Sequence, residues 1–344
     1  MIAASPAHPQ PTDRQPTDSQ PSDWRRLWRE AITDPAELLD RLGLAAHAAR
    51  LLPGADTGFP VRVPAGFLAR MRPGDPDDPL LLQVLPRAAE LLEAPGFVED
   101  AVGDHAARAA AGVIHKYAGR ALLVATGACA VHCRYCFRRH FPYARELAAR
   151  EDWREAVAWI AGQPDVHEVI LSGGDPLSLP TARLASLTRQ LAGIGHVRAL
   201  RLHTRLPIVL PERVDGEFLA WLAAVPWPVA VVVHANHGNE IDAATAGALA
   251  ALRRAGATVL NQSVLLRGVN DQVEALADLS RRLYAAGTLP YYLHLLDRVR
   301  GASHFEVDEA RARSLHADLR ARLPGYLVPR LVREIAGEPG KTPV

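Results

Sequence analysis

Cys129, Cys133 and Cys136 form a C-x3-C-x2-C run, Cys129-Ala130-Val131-His132-Cys133-Arg134-Tyr135-Cys136, and are the only cysteines in 344 residues. Three thiolates on one short loop can hold three irons of a [4Fe–4S] cube and leave the fourth without a protein ligand. An electron-transfer ferredoxin ordinarily supplies four cysteines. An open iron is a place where a small molecule can bind and react. The competing reading is a structural zinc site, which wants four nitrogen or sulfur ligands. His132 is the candidate to complete one, but it lies inside the same tight loop. The odd count and cramped spacing speak against a disulfide framework.

Amine chemistry has two candidates, because Lys116 and Lys341 are the only lysines among 39 basic residues. Lys341 stands in Glu338-Pro339-Gly340-Lys341-Thr342-Pro343, where a preceding glycine and flanking prolines predict an exposed, helix-free loop. A lysine near a C-terminus is ordinarily a solvated charge. Its weight here comes from the company it keeps.

The elements that must position these groups follow from periodicity. Short β-type runs at Ala121–Thr126, Glu168–Ser172, Ala199–Thr204, Pro228–His234, Ala257–Leu265 and Leu289–Leu296 alternate with Ala/Leu/Arg-rich helical stretches. Their starts are 47, 31, 29, 29 and 32 residues apart. That rhythm predicts repeated βα units and a parallel sheet. Six units are too few to close an eight-stranded barrel, so the fold class is α/β, a partial (β/α)6 barrel with an open side. Residues 23–110 read as a helical, proline-punctuated N-terminal region. Trp24, Leu27, Trp28 and Ile32 share one helical face there, Ala36–Leu44 continues in helix formers, and Leu80–Leu92 resumes the helical pattern. The barrel is placed at 111–320, with a C-terminal segment, 321–344, carrying Lys341.

Nearly every polar motif falls at the C-terminal end of one of these strands, where barrel enzymes place their chemistry. The cysteine loop follows the first strand and Ser172-Gly173-Gly174-Asp175-Pro176-Leu177 the second. His203-Thr204-Arg205-Leu206-Pro207 and His234-Ala235-Asn236-His237 follow the third and fourth. The fifth carries Asn261-Gln262-Ser263 and runs on to Arg267-Gly268-Val269-Asn270-Asp271, and the sixth carries Tyr291-Tyr292-Leu293-His294 and then Asp297. One histidine or asparagine at a strand end is commonly a satisfied structural group. Five consecutive strands ending this way describe a polar pocket on one face of the sheet.

Composition bounds the rest. Hydrophobic residues make up 49% and the net charge is +1, which gives a substantial core and no nucleic-acid footprint. No apolar run approaches the ~20 residues of a membrane span. Residues 1–22, rich in Pro, Gln, Asp and Ser, lack an apolar h-region and are expected to be a disordered tail rather than a signal peptide. With reduced cysteines, this predicts a cytoplasmic protein.

Taken together, Arg134-Tyr135-Cys136-Phe137-Arg138-Arg139, GGDPL, HTRLP, HANH, LNQSVLLRGVND and PYYLHLLD, followed by G-x-x-HF, resemble the lysine 2,3-aminomutase family of radical S-adenosylmethionine (SAM) enzymes over roughly residues 110–344. The resemblance is to the short bacterial branch whose β-lysine modifies elongation factor P, with a C-terminal Gly340-Lys341-Thr342-Pro343-Val344 close to that branch's ending. It implies an isomerase that moves the amino group of L-lysine from C2 to C3, using a [4Fe–4S] cluster, SAM and pyridoxal 5′-phosphate (PLP). It implies cluster ligation by Cys129, Cys133 and Cys136, and contact with SAM by Gly173, Gly174 and Asp175. Lys341 would bind PLP covalently, with Lys116, Tyr117 and Arg120 on the phosphate and His234 and Gln262 as further coenzyme contacts. Arg138 matches the arginine for the substrate α-carboxylate and Asp297 an acidic residue for the ε-ammonium. Glu334 stands seven residues before Lys341, where the family has aspartate for the same ammonium. Two carboxylates there would repel glutamate as a substrate.

The implied partners are L-lysine, an external one-electron reductant, and a ligase that attaches β-lysine to elongation factor P, with no membrane or nucleic acid. Larger family members carry a C-terminal extension and further cysteines for zinc. Neither is present in this sequence, so no zinc is expected. The alternatives are an aminomutase that releases free β-lysine for metabolism, a non-catalytic iron–sulfur carrier, and a PLP-only aminotransferase. The last two leave either the lysine motif or the cysteine loop unexplained.

Overall fold

A computed structural model describes residues 24–344 apart from 53 and 145. The tail expected over residues 1–22 lies outside the described residues. Ten strands form one sheet in sequence order: β1 (Arg108–Ala110), β2 (Val113–Tyr117), β3 (Arg120–Thr126), β4 (Glu168–Gly173), β5 (Ala199–Thr204), β6 (Val229–Val233), β7 (Thr258–Val264), β8 (Leu289–His294), β9 (Arg330–Arg333) and β10 (Thr342–Pro343). From β3 to β9 every neighbouring pair is parallel. The antiparallel strands β1 and β2 extend one edge and β10 the other. The sheet is therefore an open, partial barrel, and all six βα strands read from the sequence are present within two residues at their ends.

Two features differ from the sequence reading. The seventh parallel strand, β9, is only four residues, Arg-Leu-Val-Arg, too short to stand out as a periodic run. It and β10 belong to the barrel sheet, so the segment after 320 continues the barrel. The helical pattern expected over Leu80–Leu92 is cut into a helix at Pro79–Leu82 and a 3-10 turn at Ala88–Leu91. Pro86 between them lacks the N–H that a continuous helix needs.

Each crossover helix turns an apolar stripe to the sheet. Thr181–Leu191 buries Leu184, Leu187 and Leu191, and Val273–Ala285 buries Leu276, Leu279 and Leu283, at i, i+3, i+7 spacing. Starts are fixed by side-chain caps: Asp215 accepts from Phe218 N at 2.8 Å and Asp242 from Thr245 N at 2.8 Å. The N-terminal segment has no separate core. Trp24, Ile32, Leu38, Phe67 and Leu80 join the apolar cluster that also holds Leu184, Leu249 and Leu252 of the barrel helices.

Strand periodicity decides what faces inward. In β5, Leu200 and Leu202 pack outward under the helices while Arg201 and His203 line the barrel interior. The parallel register places Ile170 beside Arg201, His203 beside Val232, and Gln262 beside Tyr292, so the inward residues of successive strands form a continuous wall.

Candidate active site

The cysteine loop leaves β3 and is held from behind by the N-terminal segment. Cys136 N bonds Cys133 O at 3.0 Å, closing a turn, and Arg134 N bonds Gln83 O at 2.9 Å. The Arg134 side chain is fully buried and forks onto Glu90, with Nε–Oε1 at 2.8 Å and Nη2–Oε2 at 2.5 Å. Arg139 Nη2 meets the same carboxylate at 2.8 Å. His132 points away: its Nδ1 donates to Pro60 O at 3.1 Å and its ring packs on Phe59. Its absence from the cavity wall removes the fourth ligand that a zinc reading required.

The three cysteines open onto a cavity of about 310 Å³ at the C-terminal ends of the parallel strands. Burial, and then the neighbouring Cys136, pushes the Cys129 thiol well above its ordinary value. Burial, and then Cys133, raises Cys136 to about 11. Thiols crowded into one water-poor corner are stabilised as thiolates by bound cations. Among the described residues no three Cys, His, Asp or Glu side chains converge on a single-ion site. Three thiols lining one cavity are the donor type and number that a cluster with one open iron takes.

Against the root of the cysteine loop lies the Gly173-Gly174 turn. Gly173 has φ +117°, and a Cβ there would lie 2.6 Å from Thr126 O. A Cβ on Gly174 would lie 2.5 Å from Ala128 O. The glycines let the β4 end pack directly on the root of the cysteine loop. Asp175 does not present a free carboxylate to this cavity. It accepts from Thr204 Oγ1 at 2.7 Å, Arg205 N at 2.6 Å, Leu206 N at 3.0 Å and Leu177 N at 3.0 Å. Burial nevertheless raises it to about 6. Its carboxylate clasps the ends of β4 and β5, and the residue still lines the cavity.

Arg138 and Lys116 meet on a carboxylate that the sequence did not advertise. Arg138 Nε lies 2.6 Å from Asp104 Oδ2, Arg138 Nη1 lies 2.9 Å from Ser172 Oγ, and Lys116 Nζ lies 2.6 Å from Asp104 Oδ1. Burial works against ionising Asp104, but Arg138 and Lys116 outweigh it and hold the group down at about 2. Lys116 also donates to Val102 O at 2.7 Å, so it stands beside Arg138 rather than open to a phosphate. Arg120, stacked 4.7 Å over the Tyr117 ring, keeps a buried Nε without a hydrogen-bond partner. It is the better-placed of the two cations for an anion.

Three histidines line the cavity and all are held neutral. Burial lowers His203 and His234 to about 3 and His294 well below its ordinary value. His234 Nε2 is 2.8 Å from Tyr135 Oη, whereas His203 Nε2 and His294 Nε2 are buried and unpartnered. Gln262 faces the cavity from the next strand. Unsatisfied buried nitrogens in a polar pocket are groups awaiting a ligand.

The C-terminal hairpin contributes Glu334 and Lys341 to the pocket wall. Thr342 pairs with Arg333 and Pro343 with Val332, which folds Lys341 back over the barrel mouth. Burial lowers Lys341 to about 8, against the pull of Asp297. Glu334 is committed to neighbours: Tyr117 Oη donates to it at 2.5 Å, and Lys341 Nζ forms an ion pair with it. The expectation that Glu334 shares one ammonium with Asp297 is therefore modified, since its longer side chain reaches Lys341. Among the described residues, the Asp297 carboxylate has no hydrogen-bond or ion-pair partner, and burial raises it to about 6 against the pull of Lys341 and Lys116. It is the carboxylate left open to a cation.

Sequence reasoning missed Gln83, Glu90, Asp104 and Glu240. None lies in a motif, and each acts across at least thirty residues of chain or from the irregular N-terminal segment. Paired burial of opposite charges is visible only in three dimensions.

The profile of the Radical SAM superfamily matches residues 123–280. The chain is 47% identical over 324 residues to the L-lysine 2,3-aminomutase of Escherichia coli (strain K12), covering 94% of each chain. It is 45% identical over 320 residues to the L-lysine 2,3-aminomutase of Haemophilus influenzae, covering 93% of this chain and 95% of that one. Against the L-lysine 2,3-aminomutase of Clostridium subterminale it is 33% identical over 323 residues, 94% of this chain and 77% of that one. Among solved structures, a radical SAM methyltransferase from Sphaerobacter thermophilus aligns with TM-score 0.44 and 20% identity over 64% of this chain and 68% of that chain.

Proposed function

Because the chain belongs to the L-lysine 2,3-aminomutase family of radical SAM enzymes, we propose that its cavity binds L-lysine between Arg138 and Asp297 and that the β-lysine formed is destined for elongation factor P. The chain is an isomerase by family membership, acting on L-lysine. The observation that carries the site assignment is one cavity shared by Cys129, Cys133, Cys136, Arg138, Asp297 and Lys341.

When bound, a [4Fe–4S] cluster and SAM would supply one-electron radical chemistry, and PLP would supply a conjugated carbonyl for the substrate amine. Cys129, Cys133 and Cys136 would hold the cluster, and the Gly173-Gly174 backbone would face the SAM amino acid end. Lys341, lowered to about 8, is available as a neutral amine near physiological pH and would hold PLP. Arg120 and Tyr117 would take its phosphate end, and His203, His294 and Gln262 offer neutral polar contacts around it. Arg138 keeps Nη2 clear of Asp104 and Ser172 and would receive the α-carboxylate. Asp297 would receive the ε-ammonium, whose charge offsets the cost of a half-buried, desolvated carboxylate that has no side-chain partner. Glu334 would position Lys341 and Tyr117. The hairpin carrying Lys341 shields the cavity from water.

The elongation factor P destination rests on the resemblance to the short branch. A cytoplasmic setting and a ligase partner belong to the same proposal. Among the described residues no helix is long and apolar enough to cross a membrane. Anaerobic incubation with L-lysine, SAM, PLP and a low-potential reductant should yield β-lysine, and absence of product with cluster and PLP bound rejects the site assignment. Deleting the gene should remove the β-lysyl mass increment from elongation factor P, with added β-lysine restoring it. An unchanged mass in the deletion strain leaves free β-lysine as the product's fate.

A further inference from the structure

Arg205 lies behind the cysteine loop, and its guanidinium points at a ligand sulfur. Nη1 lies 2.7 Å from Cys133 Sγ, while Nη2 is held by Gln83 Oε1 at 2.7 Å and Glu240 Oε2 at 2.9 Å. Glu240 is itself fixed. Its Oε1 accepts from Asn236 N at 2.8 Å, His237 N at 3.0 Å and Gln83 Nε2 at 3.2 Å, and its side chain is 0% exposed. Backbone Arg205 N is clamped by Asp175 at 2.6 Å. The guanidinium is thus aimed from three sides, within a buried shell of Phe67 and Tyr135 rings at 5.5 and 5.7 Å. A structural salt bridge would need only the Glu240 contact; here Nη1 is turned onto sulfur as well, while Nε keeps no hydrogen-bond partner.

We propose that Arg205 tunes the redox potential of the cluster through Cys133, with Glu240 and Gln83 as its positioning residues. The inference rests on the cluster reading given above. Reduction adds one electron to the cluster and its sulfurs. A donor and a positive charge at a ligand sulfur stabilise that added charge and raise the potential. Glu240 opposes this by partly neutralising the guanidinium. The two residues therefore push the potential in opposite directions, which no purely architectural role requires.

The test uses the reconstituted full chain, titrated anaerobically with a graded reductant and read by electron paramagnetic resonance. At the potential where the wild-type cluster is half reduced, Arg205→Gln should lower the reduced-to-oxidised ratio about tenfold, which is about 59 mV for one electron. Glu240→Gln should raise that ratio. Wild-type protein grown with ¹⁵N-arginine should show a nitrogen coupling to the reduced cluster that Arg205→Gln loses. Iron and sulfide content read separately whether a cluster forms at all, and its failure in wild type rejects the cluster reading rather than this one. Equal midpoints in all three proteins overturn the proposal, as do shifts of the same sign in both variants. If the variants do not load, a wild-type spectrum without arginine coupling overturns it alone.

Discussion

Asp104 and Arg138 are joined by a buried hydrogen bond of 2.6 Å, and the same carboxylate takes Lys116 through its other oxygen. One acidic residue from the N-terminal segment thereby orients both cations at one end of the cavity. Removing one partner of a buried charge pair costs about 3–5 kcal/mol. Asp104→Ala should therefore raise KM for lysine at least tenfold and lower the melting temperature. Because Asp104 is depressed from 3.8 to about 2, its contribution is complete above the unfolded value and is lost as pH falls from 3.8 through 2. Acid unfolding of the wild type, compared with Asp104→Asn, should differ in that window. Overlapping acid transitions would show that Asp104 carries no such linkage.

Asp297 behaves in the opposite sense. A carboxyl raised from 3.8 to about 6 by burial is a liability to the fold, and stability falls as pH rises through that interval. Asp297→Asn should therefore stabilise the ligand-free protein at neutral pH by about 1–3 kcal/mol. The same variant loses the ε-ammonium partner, so kcat/KM for lysine should drop by about two to three decades. Iron and PLP content should not change. A variant that is both less stable and still active would contradict the assignment.

The Gly174 position allows no side chain, because a Cβ would stand 2.5 Å from Ala128 O and 2.7 Å from Gly127 C. Backbone cannot yield as a flexible side chain can, so Gly174→Ala should displace the root of the cysteine loop. The expected outcome is a folded chain with less than half the wild-type iron, checked by circular dichroism and iron analysis. Gly195→Ala, with nothing within 4 Å of its Cβ, is the control and should retain iron.

The βα rhythm and the strand-end motifs were legible because a half-buried strand writes its period into the sequence. Lys341 and Asp297 were named through resemblance, and both line one cavity, Asp297 after the end of β8 and Lys341 just before β10. Asp175, Lys116 and Glu334 carried the right residue types but have other partners here. An aspartate in a glycine turn can face a ligand or cap two strands, and sequence does not say which oxygen meets which N–H. Glu334 and Lys341 are seven residues apart across a hairpin whose strand β9 was too short to be read, so their ion pair was hidden with it. Asp104, Glu90 and Glu240 neutralise arginines that sequence could name but not pair.

Lys341 and Lys116 both reach the cavity, yet they differ in chemistry. Lys116 lies 2.6 Å from Asp104 and donates to Val102 O at 2.7 Å, so its nitrogen is already engaged by neighbours. Lys341 is lowered by burial from 10.5 to about 8, so its neutral fraction grows as pH rises through 8. Only the neutral amine attacks a carbonyl carbon. PLP uptake by cofactor-free protein should accordingly rise with pH to a plateau, with a midpoint near 8, when followed by absorbance. Borohydride reduction should then fix the pyridoxyl group on the C-terminal peptide, and Lys341→Ala should abolish the label without loss of iron. Lys116→Ala should keep the label while weakening the Asp104–Arg138 end. A pyridoxyl group mapped to Lys116 would reverse the two roles, and it would also require Asp104 to release the cation that its geometry holds.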